Sequence, residues 1–147
     1  MYTSTHASNA SRNDAFNGIR SGKPGIQAPN LETLFAEAGL ALFSAIVEDL
    51  GTVNLRQQVT VQVAGEDRDF LLFDWLRELL YRFDTEHLVF ARFAVRLSPL
   101  GLNGTAWGEP LDPDRHPLGH EVKAITYHHL RLEPTADGWL AEVIVDI

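Results

Sequence analysis

From Leu31 onward apolar residues recur at helical spacing: Leu31, Leu34, Phe35, Ala38, Ala41, Leu42, Ala45 and Ile46 fall mostly three or four positions apart. Pro29-Asn30 supplies an N-cap, and Glu32 places an acid in the first turn, where the helix dipole favours negative charge. This helix is expected to end near Gly51. Val59, Val61 and Val63 then alternate with Thr60 and Gln62, the period of a half-buried strand that stops at Gly65. Asp67 or Asp69 can cap a second helix. Its apolar stripe is Phe70, Phe73, Leu76, Leu80 and Phe83, widened by Leu72, Trp75 and Leu79, with Arg77, Glu78 and Arg82 towards solvent. After it the period returns to two. Val89, Ala91, Phe93, Val95 and Leu97 share one side of a long strand and Arg92 and Arg96 the other, until Pro99 and Gly101 force a turn into a hairpin partner around Leu102–Trp107.

The stretch GEPLDPDRHPLG holds three prolines, which cannot donate to a strand ladder, so it reads as a loop. In the HEVKAITYHHLRL that follows, Val122, Ala124, Thr126 and His128 alternate with Lys123, Ile125 and Tyr127. Asp137-Gly138 is a hairpin turn, after which WLAEVIVDI sets Trp139, Ala141, Val143 and Val145 on one face. Helices early and strands late predict an α+β fold of two layers, a mostly antiparallel β-sheet with two main α-helices. The expected core is Leu34, Phe35, Ala38, Leu42, Phe73, Leu76, Leu80, Phe93, Val95, Val143 and Val145. The start of the chain differs. Residues 3–25 are rich in Ser, Asn, Gly and Thr, show no period and close on the breaker Lys23-Pro24-Gly25. Residues 1–25 are therefore expected to be a loop or disordered segment, and 26–147 a single domain.

Composition narrows the function. A chain of 147 residues is the size of one domain with one core. No apolar run approaches the roughly 20 residues that cross a bilayer, and MYTSTHASNA has neither the basic start nor the apolar stretch of a signal peptide, so a cytoplasmic location is expected. With no cysteine, disulfides, thiolate zinc sites and cysteine nucleophiles are excluded; a metal would need oxygen or imidazole ligands. A net charge of -8 opposes phosphate backbones, so strong direct nucleic-acid binding is not expected, whereas a basic protein partner or a hard cation suits it.

Glu142, Ile144 and Asp146 share the second face of the last strand, and Ile147 adds a main-chain carboxylate beside Asp146. Oxygen groups of this kind hold Ca²⁺ or Mg²⁺. The plainer alternative is solvated charge that blunts a sheet edge. His116, His120, His128 and His129 lie close in sequence, but His128 and His129 are neighbours in a strand and face opposite sides, and no HExxH helix supplies paired zinc geometry. Asp112 and Asp114 flank Pro113 as turn residues, and Asp84-Thr85-Glu86 reads as the turn that ends the second helix. There is no glycine-rich phosphate loop, and Ser44 and Ser98 lack the glycines of a nucleophile elbow. No catalytic constellation is visible.

Four stretches, NLETLFAEAGLALF, FLLFDWLRELLYRFDTEHLVF, AWGEPLDPDRHPLGHEVKAITYHHL and WLAEVIVDI, occur in this order over the roughly four fifths of the chain from Asn30 to Ile147. In wording and order they resemble the archease family. The resemblance implies an archease-like fold and a non-catalytic accessory protein. It implies a partner, the GTP-dependent, RtcB-type RNA ligase of tRNA splicing, whose guanylylation and repeated turnover archease promotes. It also implies a divalent cation near the chain end, often calcium, with Asp146 and Ile147 matching the family's metal ligands. The beginning departs from the family pattern, which opens with a DHTAD-like strand whose last aspartate completes the metal site. Setting THASN, residues 5–9, on that motif puts His6 on its histidine and Asn9 on its aspartate, with an insertion as far as Pro24; a second alignment uses Asp14 as the acid. In both, Gly25-Ile26 resumes the pattern, and residues 10–24 are either inserted or part of an altered N-terminal segment. Asn9 in place of an aspartate would weaken cation binding by one charge. Two other classes stay open at this point: a metal-dependent hydrolase or phosphotransferase using Asp146 and His128, and a chaperone-like binding module for RNA-processing proteins.

Overall fold

The computed structural model describes residues 25–147. A short strand β1 (Ile26–Ala28) leads into helix α1 (Leu31–Ile46), whose cap is Asn30: its side chain accepts the Thr33 N–H at 2.8 Å. The helix stops before Gly51 because Val47 takes an extended backbone and bridges to Leu118; a 3₁₀ turn (Leu50–Thr52) capped by Asp49 follows. Strand β2 (Gln57–Ala64) precedes helix α2 (Arg68–Glu86), where Asp67 rather than Asp69 is the cap, accepting the Asp69 and Phe70 N–H groups. The helix ends at His87 in the left-handed region, φ 57. Four strands complete the fold: β3 (Leu88–Ser98), β4 (Gly101–Pro110), β5 (Ala124–Thr135) and β6 (Gly138–Asp146).

The class is α+β, and every strand pairing is antiparallel. The strands divide into two three-stranded sheets, ordered β1-β6-β5 and β2-β4-β3, and each helix touches strands of both. Leu34, Phe35, Ala38, Leu42, Leu76, Leu80, Val95, Val143 and Val145 are buried as expected, while Phe73 and Phe93 are half-buried against them. Phe70 departs from its expected place in the α2 stripe: it is 41% exposed and groups with Phe73 and Tyr127, ring centroids 5.3–5.9 Å apart. The buried stripe takes in Leu71, Leu72 and Trp75 instead, and the Trp75 ring packs so close to Gly104 that any side chain there would collide with it. Trp75 is fully buried, and its Nε1–H donates to the Phe35 carbonyl at 2.9 Å, so the two helices share a polar tie inside an apolar core.

Two bulges re-aim side chains. Ala91 is extra in β3, between Phe90 opposite Gly108 and Arg92 opposite Trp107, which lets Phe90 join the buried face. In β5 the larger bulge runs through Tyr127–Leu130, with His129 at φ 70, so the simple alternation expected through His128 breaks there. The inward residues beside it are Val122 and Ile125, and Ala124 is exposed. β4 also runs further than expected. Gly108, Glu109 and Pro110 pair with Phe90, Val89 and Leu88 before the proline-rich segment leaves the sheet. No helix among the described residues is long and apolar enough to cross a membrane.

Candidate functional site

The last residues of β4 and the loop after them form a buried polar group. Glu109 is 1% exposed and His116 0%. Three donors converge on Glu109 Oε2: the Asn54 N–H at 2.8 Å, Arg115 Nη1 at 2.6 Å and His116 Nε2 at 2.8 Å. Arg56 Nη1 approaches Oε1 at 3.9 Å. On the far side of the ring, the Asp112 N–H donates to His116 Nδ1 at 2.9 Å, which makes Nδ1 an acceptor and puts the ring proton on Nε2, facing Glu109. Arg115 Nη1 also donates to the Thr52 carbonyl at 3.0 Å, and Asp112 caps its own turn by accepting the Asp114 N–H at 3.1 Å. Asp112 and Asp114 are thus turn residues, as expected. The Arg115 hydrogen bond, reinforced by Asn54 and His116, outweighs burial and draws the Glu109 carboxyl down from 4.5 to about 2.

From this anchor the loop crosses to the end of α1. The Gly119 and His120 N–H groups donate to the Ile46 and Ala45 carbonyls at 2.8 and 2.7 Å, and the Glu48 N–H donates to the Pro117 carbonyl at 2.8 Å. Carbonyls left over in the last turn of α1 thereby find partners. At Gly119 a Cβ would lie 2.7 Å from the Ala45 carbonyl oxygen, so the close approach itself requires glycine. The loop then enters β5, and the Lys123 N–H donates to the Asp146 carbonyl at 2.6 Å, fixing the backbone at the end of β6.

At that end Ala141, Val143 and Val145 point inward and Glu142, Ile144 and Asp146 point the other way, as the alternation predicts. The two acids part company. Glu142 accepts Arg131 Nη1 at 2.7 Å, and the same guanidinium reaches Glu133 at 3.1 Å, so Glu142 is committed to a salt bridge. Asp146 is exposed, its carboxylate forms no ion pair or hydrogen bond with a described residue, and Ile147 follows it, 46% exposed. Such oxygens fit a hard cation in chemical type. Two donors do not complete a site, and among the described residues no group of three His, Asp or Glu is arranged to hold a metal. Asn9 and Asp14, the two candidates for a third ligand, lie outside the described residues, as does His6. His128 and His129 sit on the β5 bulge with their rings edge to face at 5.1 Å, an arrangement of neighbours rather than of ligands.

The Archease protein family (MTH1598/TM1083) model matches residues 25–147. The chain belongs to the archease family. It is 41% identical to a Pyrococcus furiosus "Protein archease" over 122 residues, 80% of this chain and 85% of that relative. It is 38% identical to a "Protein archease" from Methanopyrus kandleri over 126 residues, 83% of this chain and 89% of that one. Among solved structures it resembles the solution structure of Methanobacterium thermoautotrophicum protein 1598, with a TM-score of 0.71, 37% identity and coverage of 80% and 85% of the two chains. These matches agree with the archease-like wording of the four sequence stretches.

Glu109, Arg115 and His116 escaped the sequence reading as a unit. Only the density of charged residues between the prolines of GEPLDPDRHPLG marks them, and nothing in the sequence says that Glu109 is inside.

Proposed function

We propose that this archease is a non-catalytic accessory protein that activates an RtcB-type, GTP-dependent RNA ligase in tRNA splicing or RNA repair, promoting ligase guanylylation and multiple turnover. The observation that carries the reading is family membership over residues 25–147, including the ending WLAEVIVDI on an ordered strand. Asp146 and the carboxylate of Ile147, the last residue of this sequence, would hold a divalent cation, calcium foremost, with a third ligand from Asn9 or Asp14. The cation would supply a fixed positive point on an acidic protein. The protein's own contribution is positional: the Lys123 N–H pins the Asp146 main chain, and the inward Val143 and Val145 hold the strand. A cytoplasmic setting accords with such a partner.

The test pairs ligation with metal binding. Wild-type protein at substoichiometric amounts is added to the RtcB-type ligase of the same organism and product per ligase is counted, while calcium-dependent thermal shift is read on archease alone. Saturation at 100 times the dissociation constant stabilises a folded protein by about 2.7 kcal/mol. Asp146→Ala, on an exposed position, should keep the calcium-free melting temperature and lose both the calcium shift and the stimulation, and extension beyond Ile147 should impair both. Equal stimulation and equal calcium response in wild type and both variants would refute the assignment.

A further inference from the structure

The sheet β2-β4-β3 has a second face, largely exposed among the described residues. Its covered face carries Val61, Val63, Leu102, Ala106 and Val95 against the helices. The pairing register lays out what remains: Gln58–Trp107–Arg92, then Thr60–Thr105–Ala94, then Gln62–Asn103–Arg96. Of these nine side chains, Thr105 and Trp107 are half-buried and the others exposed. None of the nine is acidic, on a protein with a net charge of -8; the next residue on this side of β4, Glu109, is buried and held by Arg115 and His116. Glu32 meets the sheet only at the edge of β3, where Oε2 accepts the Leu97 N–H at 2.8 Å, in the plane of the strands. The arginines are equally distinctive. Arg56, Arg77, Arg82, Arg115 and Arg131 are each paired with a carboxylate, whereas Arg68, Arg92 and Arg96 form no ion pair with a described residue, and of these three Arg92 and Arg96 share one sheet face. The Arg92 guanidinium instead stands 5.2 Å over the Trp107 ring.

We propose that this open face of β2-β4-β3 is a docking surface for single-stranded RNA. Single-stranded bases are taken up by aromatic rings and guanidinium planes on open sheets, and the Arg92–Trp107 stack offers both at one end of the face. Arg96, four residues further along β3 on the same face, meets a neighbouring phosphate. Gln58, Gln62 and Asn103 bring amides that donate to and accept from base edges, and Thr60 and Thr105 bring hydroxyls for ribose. Charge complementarity picks the occupant: within these three rows two cations without an ion pair to a described residue meet no carboxylate, on a molecule whose net charge of -8 otherwise repels phosphate. With two phosphate contacts the interaction is weak and salt-sensitive, consistent with the absence of strong binding expected from overall charge. A slope of about -1.4 in log K against log salt means roughly seven-fold weaker binding between 50 and 200 mM. The surface is on a different element from Asp146 and needs neither cation nor ligase.

Fluorescence anisotropy of a labelled, unstructured twelve-nucleotide RNA, titrated with the full-length protein in low salt with chelator, tests this directly. Circular dichroism melting checks that each variant is folded. Wild type should bind with the stated salt slope. Arg92→Gln combined with Arg96→Gln should weaken binding at least five-fold and flatten the slope, and Trp107→Ala should weaken it about ten-fold. Arg92→Lys with Arg96→Lys should restore the slope without restoring the full affinity, because lysine keeps charge but not the planar stack. No binding by wild type, or binding unchanged in the glutamine pair, overturns the proposal. So does tighter binding of a DNA of the same sequence, or of a polyglutamate peptide, which would reassign the face to an acidic protein segment.

Discussion

Replacing Glu109 with glutamine removes one charge and almost no volume from the buried group that anchors the loop over α1. The three donors on Oε2 can still meet the amide oxygen, since they converge on a single atom, so hydrogen bonds survive while Arg115 loses its counter-charge. The size of the loss follows from the carboxyl's own titration. Its pKa moves from 4.5 to about 2 on folding, and at about 1.4 kcal/mol per unit this linkage is worth on the order of 3 kcal/mol. Because the folded value is the lower one, that stability is fully present above about pH 5 and drains away as pH falls through 4.5 towards 2. Glu109→Gln should therefore unfold at lower urea than wild type at pH 7, by a few kcal/mol in extrapolated stability, and the gap should shrink steadily below pH 4.5. Urea titrations at pH 7, 5, 4 and 3, followed by far-UV circular dichroism, measure the gap directly. A difference below about 0.5 kcal/mol at pH 7, or one that stays constant down to pH 3, would show that Glu109 is not held by this network as charge against charge.

Two further substitutions probe the core and the loop over α1. Leu76 is 0% exposed, and Leu76→Ala should cost about 2–5 kcal/mol in denaturant unfolding, with a loss under 1 kcal/mol contradicting its place in the core. Gly119→Ala should push the loop off the Ala45 carbonyl, costing about 1–3 kcal/mol and speeding hydrogen exchange at the Gly119 and His120 amides; unchanged exchange there would mean the loop does not depend on that close approach.

Much of this architecture can be read from periodicity because the helices are long and one-sided. Asn30 and Asp67 announce their helix starts by cap chemistry that is local in sequence, and both act as caps in the fold. β1 could not be read, since three residues carry no period and their strand character comes from pairing with β6. The bulges at Ala91 and Tyr127–Leu130 are likewise set by partners across the sheet, and so is the extension of β4 through Pro110. At the end of β6, strand alternation suffices to turn Asp146 outward, while a ligand role for Asp146 and Ile147 was implied by the family resemblance alone. The Glu109–Arg115–His116 group was not: burial of a carboxylate depends on donors from Asn54 and from the turn at Asp112, which no window of local sequence brings together. Arg92 and Arg96 were assigned correctly to the outer side of their strand, but the absence of acids from the three cross-strand rows they belong to emerges only once β2 and β4 are registered beside it.

The strand order β1-β6-β5 has a temporal side. β6 occupies the middle of its sheet, with residue 26 set against residue 141, so the first strand of the described domain has no sheet partner until its last strand has been made. During synthesis α1, α2 and the β2-β4-β3 sheet can assemble behind the ribosome, since their contacts lie within a shorter span of chain. The inner faces of α1 and β5 meanwhile wait for Ala141, Val143 and Val145. Closure of the domain and delivery of Asp146 to its final position are thus one event, and a nascent chain cannot present that carboxylate in place before its fold is complete.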